Sequence, residues 1–194
     1  MLRLFLALAA SFAMTDPAWA AGQHDFRNGG FATGSFTDWS LNAPYTEVMS
    51  QPYDGFAPRQ GAHYALLGPR GSDGTLSQTF ADTPGATVRI FFWLASDGDS
   101  PNDFSAQFDG HRLLQLTDIG AQGWVLESAT VHTTGLDTLS FSFRDDGGYL
   151  ALADVRLKTL RDAPADVPEP AGLALAATML AALVAARRWG KERK

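Results

Sequence analysis

The chain has 194 residues, no Cys and a formal net charge of −6. The charge is unevenly spread: between residues 21 and 170 nine Lys and Arg stand against nineteen Asp and Glu, while five of the other six cations lie in the last eight residues. An acidic body argues against nucleic acid as partner, because phosphate binding needs a basic surface, and the absence of Cys excludes disulfides and thiol nucleophiles.

The N-terminus has the form of a secretory signal over residues 1–20. Arg3 supplies a positive region, 4–14 an apolar stretch, and Ala18-Trp19-Ala20 a small-x-small cleavage site, so the mature chain is expected to start at Ala21. Asp16-Pro17 ends the run before it is long enough to anchor. An exported body of about 140 residues must then stand on its hydrophobic core alone.

From residue 21 the composition shifts to Gly, Ser, Thr, Asp and aromatics, with no long amphipathic helical pattern up to residue 160. Asn28-Gly29-Gly30-Phe31, with Gly34, Phe36 and Trp39, predicts a tightly folded segment whose three aromatics anchor it in a core. Short strands are expected at 39–41, 45–49, 63–67 and 75–80, with Leu76, Gln78 and Phe80 sharing one face. Pro52, Gly55 and Pro58 mark 51–60 as a loop.

The strongest strand is 87–95, with Val88, Ile90, Phe92 and Leu94 on one face and Phe91 and Trp93 on the other. A strand apolar on both faces is either covered twice, here under a loop, or leaves one aromatic face to a ligand. Asp109-Gly110 predicts a type I′ hairpin between 103–108 and 111–117. Strands at 124–131, 138–143 and 149–157 bring the total to nine or ten, mostly antiparallel, within one all-β sandwich over 21–160.

Residues 161–170 hold Pro164, Pro168 and Pro170 and read as an extended linker. The uncharged run 171–186 has high helix propensity and would span about 24 Å, short of the ~30 Å hydrocarbon thickness. Arg187 and Arg188 open a basic end, 187–194, which would snorkel and orient the helix with that end cytoplasmic. A membrane-inserted helix is therefore expected at 171–186, with the β domain outside.

Val167-Pro168-Glu169-Pro170, the apolar run and the basic end, in that order and behind a signal peptide, resemble the PEP-CTERM sorting signal of Gram-negative bacteria. The resemblance implies export across the inner membrane, transient anchoring by the helix, and processing near 168–170 by an exosortase, a membrane-embedded transpeptidase-like enzyme. It also implies a structural or adhesive place at the cell surface or in the extracellular matrix, alongside exopolysaccharide and biofilm.

The body resembles the jelly-roll, galactose-binding-like domains found in such proteins and in carbohydrate-binding modules. The carrying residues are Asn28 to Phe31 with Gly34, Phe36 and Trp39, then 104–110, Trp124, 141–144 and 149–157. This implies a carbohydrate-binding alternative to the structural reading, with Tyr53, Trp93, Trp124 and Tyr149 as stacking platforms. Related sandwiches hold a structural calcium on an acid after the first Gly-Gly-Phe and on an Asp near the last strand. Here Asp154 matches the second position, but Ala32 stands at the first, which makes a poor cation site.

The remaining constellations carry no reaction chemistry. The loop Asp97 to Asp103 lacks EF-hand spacing and reads as a solvated turn. The four His are scattered, and neither a Gly-x-Ser-x-Gly elbow nor a phosphate-binding Gly loop occurs. A non-enzymatic protein with no cofactor, apart from a candidate calcium at Asp154, is expected.

Overall fold

A computed structural model describes residues 24–59 and 62–162. Ten strands follow in chain order: β1 (Ser40–Asn42), β2 (Thr46–Met49), β3 (Tyr64–Leu67), β4 (Gly74–Ala81), β5 (Thr87–Ser96), β6 (Asn102–Phe108), β7 (His111–Thr117), β8 (Gln122–His132), β9 (Leu136–Asp145) and β10 (Leu150–Arg161). They build two five-stranded antiparallel sheets, the first ordered β1-β4-β9-β6-β7 and the second β2-β3-β10-β5-β8.

The period-two alternation of the sequence produces the two layers. Leu139, Phe141 and Phe143 on β9 and Phe104, Ala106 and Phe108 on β6 face inward from the first sheet. Val88, Ile90, Phe92 and Leu94 on β5 meet them from the second. Phe141 lies at the centre, with the Phe92 ring 5.2 Å and the Phe104 ring 5.6 Å from its own. Burial of these faces is the main driving force for the sandwich.

Gln78 points into the same core between Leu76 and Phe80, as the alternation requires of it. Both ends of its amide are paired: Oε1 accepts from the Arg27 N–H at 2.8 Å and Nε2 donates to the Arg27 carbonyl at 2.9 Å. A buried polar side chain thereby becomes the tie between β4 and the N-terminal segment.

That segment is folded tightly onto the last strand. Trp39 Nε1 donates to the Asn28 carbonyl at 3.1 Å, Asn28 Nδ2 donates to the Ser35 and Thr37 carbonyls, and Phe31 is fully buried. Positive φ falls on Asn28, Phe31 and Asp38 as well as on Gly34. Gly29 serves another purpose, since its carbonyl accepts from Val155 N at 2.9 Å and its α-carbon lies against the β10 backbone.

The β6–β7 hairpin turns on Asp109 and Gly110, both at positive φ as the I′ geometry demands. Asp109 Oδ1 also accepts from the Thr138 N–H at 2.7 Å, fastening the turn to β9.

Asn102 pins the ends of both sheets and is 2% exposed. Its Nδ2 donates to the Asp99 and Ile119 carbonyls at 2.6 and 3.0 Å, and its Oδ1 accepts from Ile119 N at 2.7 Å. Asn102→Ala takes the acceptor from the buried Ile119 N–H, while the Ile119 carbonyl keeps its bond from Ser96 Oγ at 3.0 Å, and a loss of about 2 kcal/mol is expected in a urea titration.

The leader 1–20, the sorting motif Val167 to Pro170, the helix 171–186 and the basic end with Arg187 and Arg188 lie outside the described residues. Among the described residues no helix is long and apolar enough to cross a membrane.

Candidate functional site

The two sheets differ in how their outer faces are covered. Outward positions of the second sheet carry Tyr64 and Leu66 on β3, Ala95 on β5, and Ala151 and Ala153 on β10, which form a second apolar cluster with Phe56. The loop between β2 and β3 folds over one half of this face. It is held by the paired backbone bonds between Tyr53 and Phe56 at 2.9 Å, by Tyr64 Oη donating to the Gln51 carbonyl at 3.1 Å, and by Trp124 Nε1 donating to the Ala57 carbonyl at 3.1 Å.

The four predicted platforms all reach this face or its loop. Tyr53 is 44% exposed and meets Tyr149 edge-on, the ring centroids 5.9 Å apart. Burial, followed by the neighbouring Tyr53, raises the Tyr149 hydroxyl above its ordinary pKa. Trp124 is half-buried, with its ring 6.0 Å from that of Tyr64. Trp93 departs from the expectation of an open platform, because the Arg59 guanidinium lies 3.3 Å from its ring centroid and takes that face. The cover expected over the Phe91 and Trp93 side of β5 is thus supplied at Trp93 by Arg59 of the loop between β2 and β3.

Among the described residues this face carries a larger and a smaller concavity. The larger, of about 710 Å³, lies between Asp54 to Ala57 on the loop and Ala121 to Trp124 at the start of β8, with Asp97 at its side. The smaller, of about 210 Å³, is bounded by Phe91, Trp93 and Leu126 and by the charged group Arg59, Asp154 and Arg156. The first mixes an aromatic wall with carboxylate and amide groups. The second mixes aromatic surface with cations.

Asp154 sits where β10 bulges, in the register shift between Ala153 and Arg156, at a φ of 50°. Its carboxylate is 6% exposed and divided between two arginines: Oδ2 accepts from Arg59 Nη1 at 3.2 Å and Oδ1 from Arg156 Nη2 at 3.1 Å. Both oxygens are committed to guanidinium donors, and Ala32 at the complementary position is exposed. Among the described residues no three His, Asp or Glu side chains converge as a cation site would require. The residues present at Asp154 therefore fit an ion-paired arginine cluster and do not fit calcium.

Asp97 closes the side of the larger cleft as a fixed group. Its Oδ1 accepts from Asp99 N at 2.9 Å and its Oδ2 from Tyr149 N at 2.6 Å. Behind it lies Asp145, fully buried, with Oδ1 accepting from Gly147 N and Gly148 N at 3.2 and 2.8 Å and Oδ2 without a partner among the described residues. Burial first, and then the charges of Asp97 and Asp99, push the Asp145 carboxyl up to about 6.

An unfolded aspartate releases its proton near 3.9. Between that value and about 6 only the folded chain holds the Asp145 proton, so this group's contribution to stability falls as pH rises through that window. Asp145→Asn keeps the acceptor and removes the buried charge. It is expected to flatten the pH 4–6 slope in thermal unfolding and to raise stability at pH 7 by about 1–2 kcal/mol.

Arg59, Arg156, Phe56 and Leu126 are absent from the sequence-based site. The outward alternation of Arg156 and Lys158 on β10 was a usable signal, whereas the landing of Arg59 on Trp93 depends on how the loop folds back.

No protein-family model matches the sequence, and no curated protein matches it. Solved structures do match in fold. The chain is similar to TmCBM61 in complex with β-1,4-galactotriose, at 19% identity and a TM-score of 0.52, over 71% of this chain and 99% of that one. It is similar to the enzymatically active domain of bacteriophage CBA120 tailspike protein 4, at 13% identity and a TM-score of 0.53, over 70% of this chain and 21% of that one. It is also similar to a cleaved adhesin domain of Lys-gingipain from Porphyromonas gingivalis, at 16% identity and a TM-score of 0.51, over 67% of this chain and 97% of that one. The fold is thus an all-β sandwich like that of a carbohydrate-binding module.

Proposed function

We propose that the β domain is a non-catalytic polysaccharide-binding module and that the outer face of the second sheet is its binding surface. The observation that carries this reading is the cleft of about 710 Å³ between the β2–β3 loop and the start of β8, where Trp124 and Phe56 stand beside Asp54, Asp97 and Gln122. Sugar rings present apolar C–H faces and polar hydroxyl edges, so they need an aromatic wall flanked by acceptors and donors. Trp124 offers the wall, held by its bond to Ala57, while the Asp54 carboxylate and the Gln122 amide offer hydrogen bonds.

The likeness to carbohydrate-binding modules agrees with this reading, although fold alone does not fix function. Hydrolysis of a glycosidic bond uses a pair of carboxylates facing across the scissile bond. In the cleft Asp97 already accepts two backbone N–H groups, which suits it to orienting a loop rather than to proton transfer. The test is affinity electrophoresis of the full chain in gels containing soluble β-galactan, xylan or polygalacturonate. Retardation in at least one is expected, and unretarded migration in all three, with no binding on a broad glycan array, would remove the reading.

The proposal extends to the route by which the module reaches its ligand. The leader 1–20 and the block from Val167 to Lys194 suit export, transient anchoring and processing by an exosortase, leaving the domain in the extracellular matrix. Glu169→Ala together with Pro168→Ala is expected to leave full-length protein in the membrane of an exosortase-bearing host, read by immunoblot of membrane and released fractions. Unchanged processing would remove this part alone.

A further inference from the structure

The body is acidic, yet four of its nine cations between residues 21 and 170 share one strip of the second sheet's outer face: Arg59, Arg89, Arg156 and Lys158. Register places Arg156 beside Phe91, and Lys158 directly opposite Arg89. Like charges at directly opposed positions of an antiparallel pair cost stability, so folding gives no reason to place them there. Arg89 is fixed by Nη2 donating to Ser128 Oγ at 2.9 Å and lies 5.9 Å from the Phe91 ring.

At the other end of the strip Arg59 is pre-positioned. Its guanidinium rests on Trp93 and gives Nη1 to Asp154, and its side chain is 21% exposed. Arg156 gives Nη2 to the same carboxylate, and its side chain is 62% exposed. Two guanidinium charges thus meet one carboxylate charge, and each fork keeps further N–H groups. Trp93, Phe91 and Arg89 occupy successive outward positions on β5, which spreads the cations over about 13 Å along the strand.

We propose that this strip binds the anionic groups of an acidic polysaccharide, carboxylate or sulfate, on a glycan that continues from the Trp124 cleft. The continuity is in β8, where Trp124 of the cleft and Leu126 of the smaller hollow lie two residues apart on the same face of the strand. Planar guanidinium forks match carboxylate and sulfate geometry, the adjacent aromatic surface takes the sugar ring, and the acidic remainder of the domain repels anions that approach elsewhere. This inference rests on the polysaccharide-binding reading and names the charge class of the ligand.

The test is affinity electrophoresis of the full chain in polygalacturonate, in its fully methyl-esterified form, in dextran sulfate and with single-stranded DNA as a non-sugar polyanion. Tighter binding to polygalacturonate or dextran sulfate than to the ester is expected, weakening as salt rises, and the preference between those two distinguishes carboxylate from sulfate. Arg89→Gln with Lys158→Gln removes an opposed like-charge pair without touching the core, and about a tenfold loss of acidic-glycan affinity is expected with thermal stability held or raised. Arg156→Gln, which leaves Asp154 paired with Arg59, is expected to act in the same direction. The basic C-terminal residues are unaltered in these variants, so the loss assigns the binding to the sheet. Equal binding to the ester with unchanged behaviour of the variants would overturn the charge assignment and leave the polysaccharide reading intact. Equally tight binding to the DNA would overturn it too, and binding to no glycan at all would overturn both.

Discussion

Gly29→Ala is expected to destabilise the domain by about 4 kcal/mol or more, enough to unfold a large fraction of a domain of ordinary stability. A methyl group on Gly29 would overlap the Val155 carbonyl oxygen outright and come to 2.7 Å from the Phe26 ring. Neither neighbour has room to retreat. The Val155 backbone is held by its own N–H bond to the Gly29 carbonyl, and Phe26 is wedged between Trp39 and Phe80 at centroid distances of 5.5 and 5.2 Å. Relief requires the N-terminal segment to leave β10, which uncovers Phe31 and Trp39. Thermal unfolding reads the cost, and Gly30→Ala is the control, since its nearest neighbour would be the Asp154 carboxylate at an ordinary 3.9 Å. Equal losses at both positions would contradict this packing.

Trp124→Ala is expected to weaken polysaccharide binding by about thirtyfold, the loss typical of removing a buried aromatic anchor, or about 2 kcal/mol. The change removes the aromatic wall of the larger cleft and the donor that holds the loop at Ala57. Trp124→Phe separates the two effects, because it keeps an aromatic face and loses only the N–H. A smaller loss for Phe than for Ala is expected in affinity electrophoresis. Trp93→Ala should act differently. Its ring supports Arg59, so its removal is expected to weaken acidic glycans more than neutral ones.

The strands were legible because their alternation is clean. Leu139, Phe141 and Phe143, like Phe104, Ala106 and Phe108, alternate with polar residues over a whole strand, and the two-layer sandwich buries both sets. The aromatic candidates were legible by type, and they do gather on one face. Their individual states were not, since the loop between β2 and β3 crosses back over the sheet and brings Arg59 onto Trp93, 34 positions away in sequence. Asp154 was singled out for a cation by its place near the last strand, and the bulge there turns it instead between two arginines. Gln78 shows the reverse case: alternation put it inside correctly, but only the N-terminal backbone that it binds explains why a polar residue is tolerated there.

The glycine-rich start illustrates how composition underdetermines geometry. Three glycines permit the tight fold expected there, yet the left-handed positions include Asn28, Phe31 and Asp38, and Gly29 is needed for clearance. Clearance depends on a strand some 126 positions later in the chain, which local sequence does not reveal.

Amide hydrogen exchange of the full chain with and without a saturating bound polysaccharide tests the central claim most directly. Slower exchange is predicted at 54–57 and 121–126, the two walls of the cleft and the edge that leads to the cationic strip. Protection confined to the outer face of the first sheet, at β4 and β7, or no protection at the cleft under conditions where binding is measured independently, would contradict it.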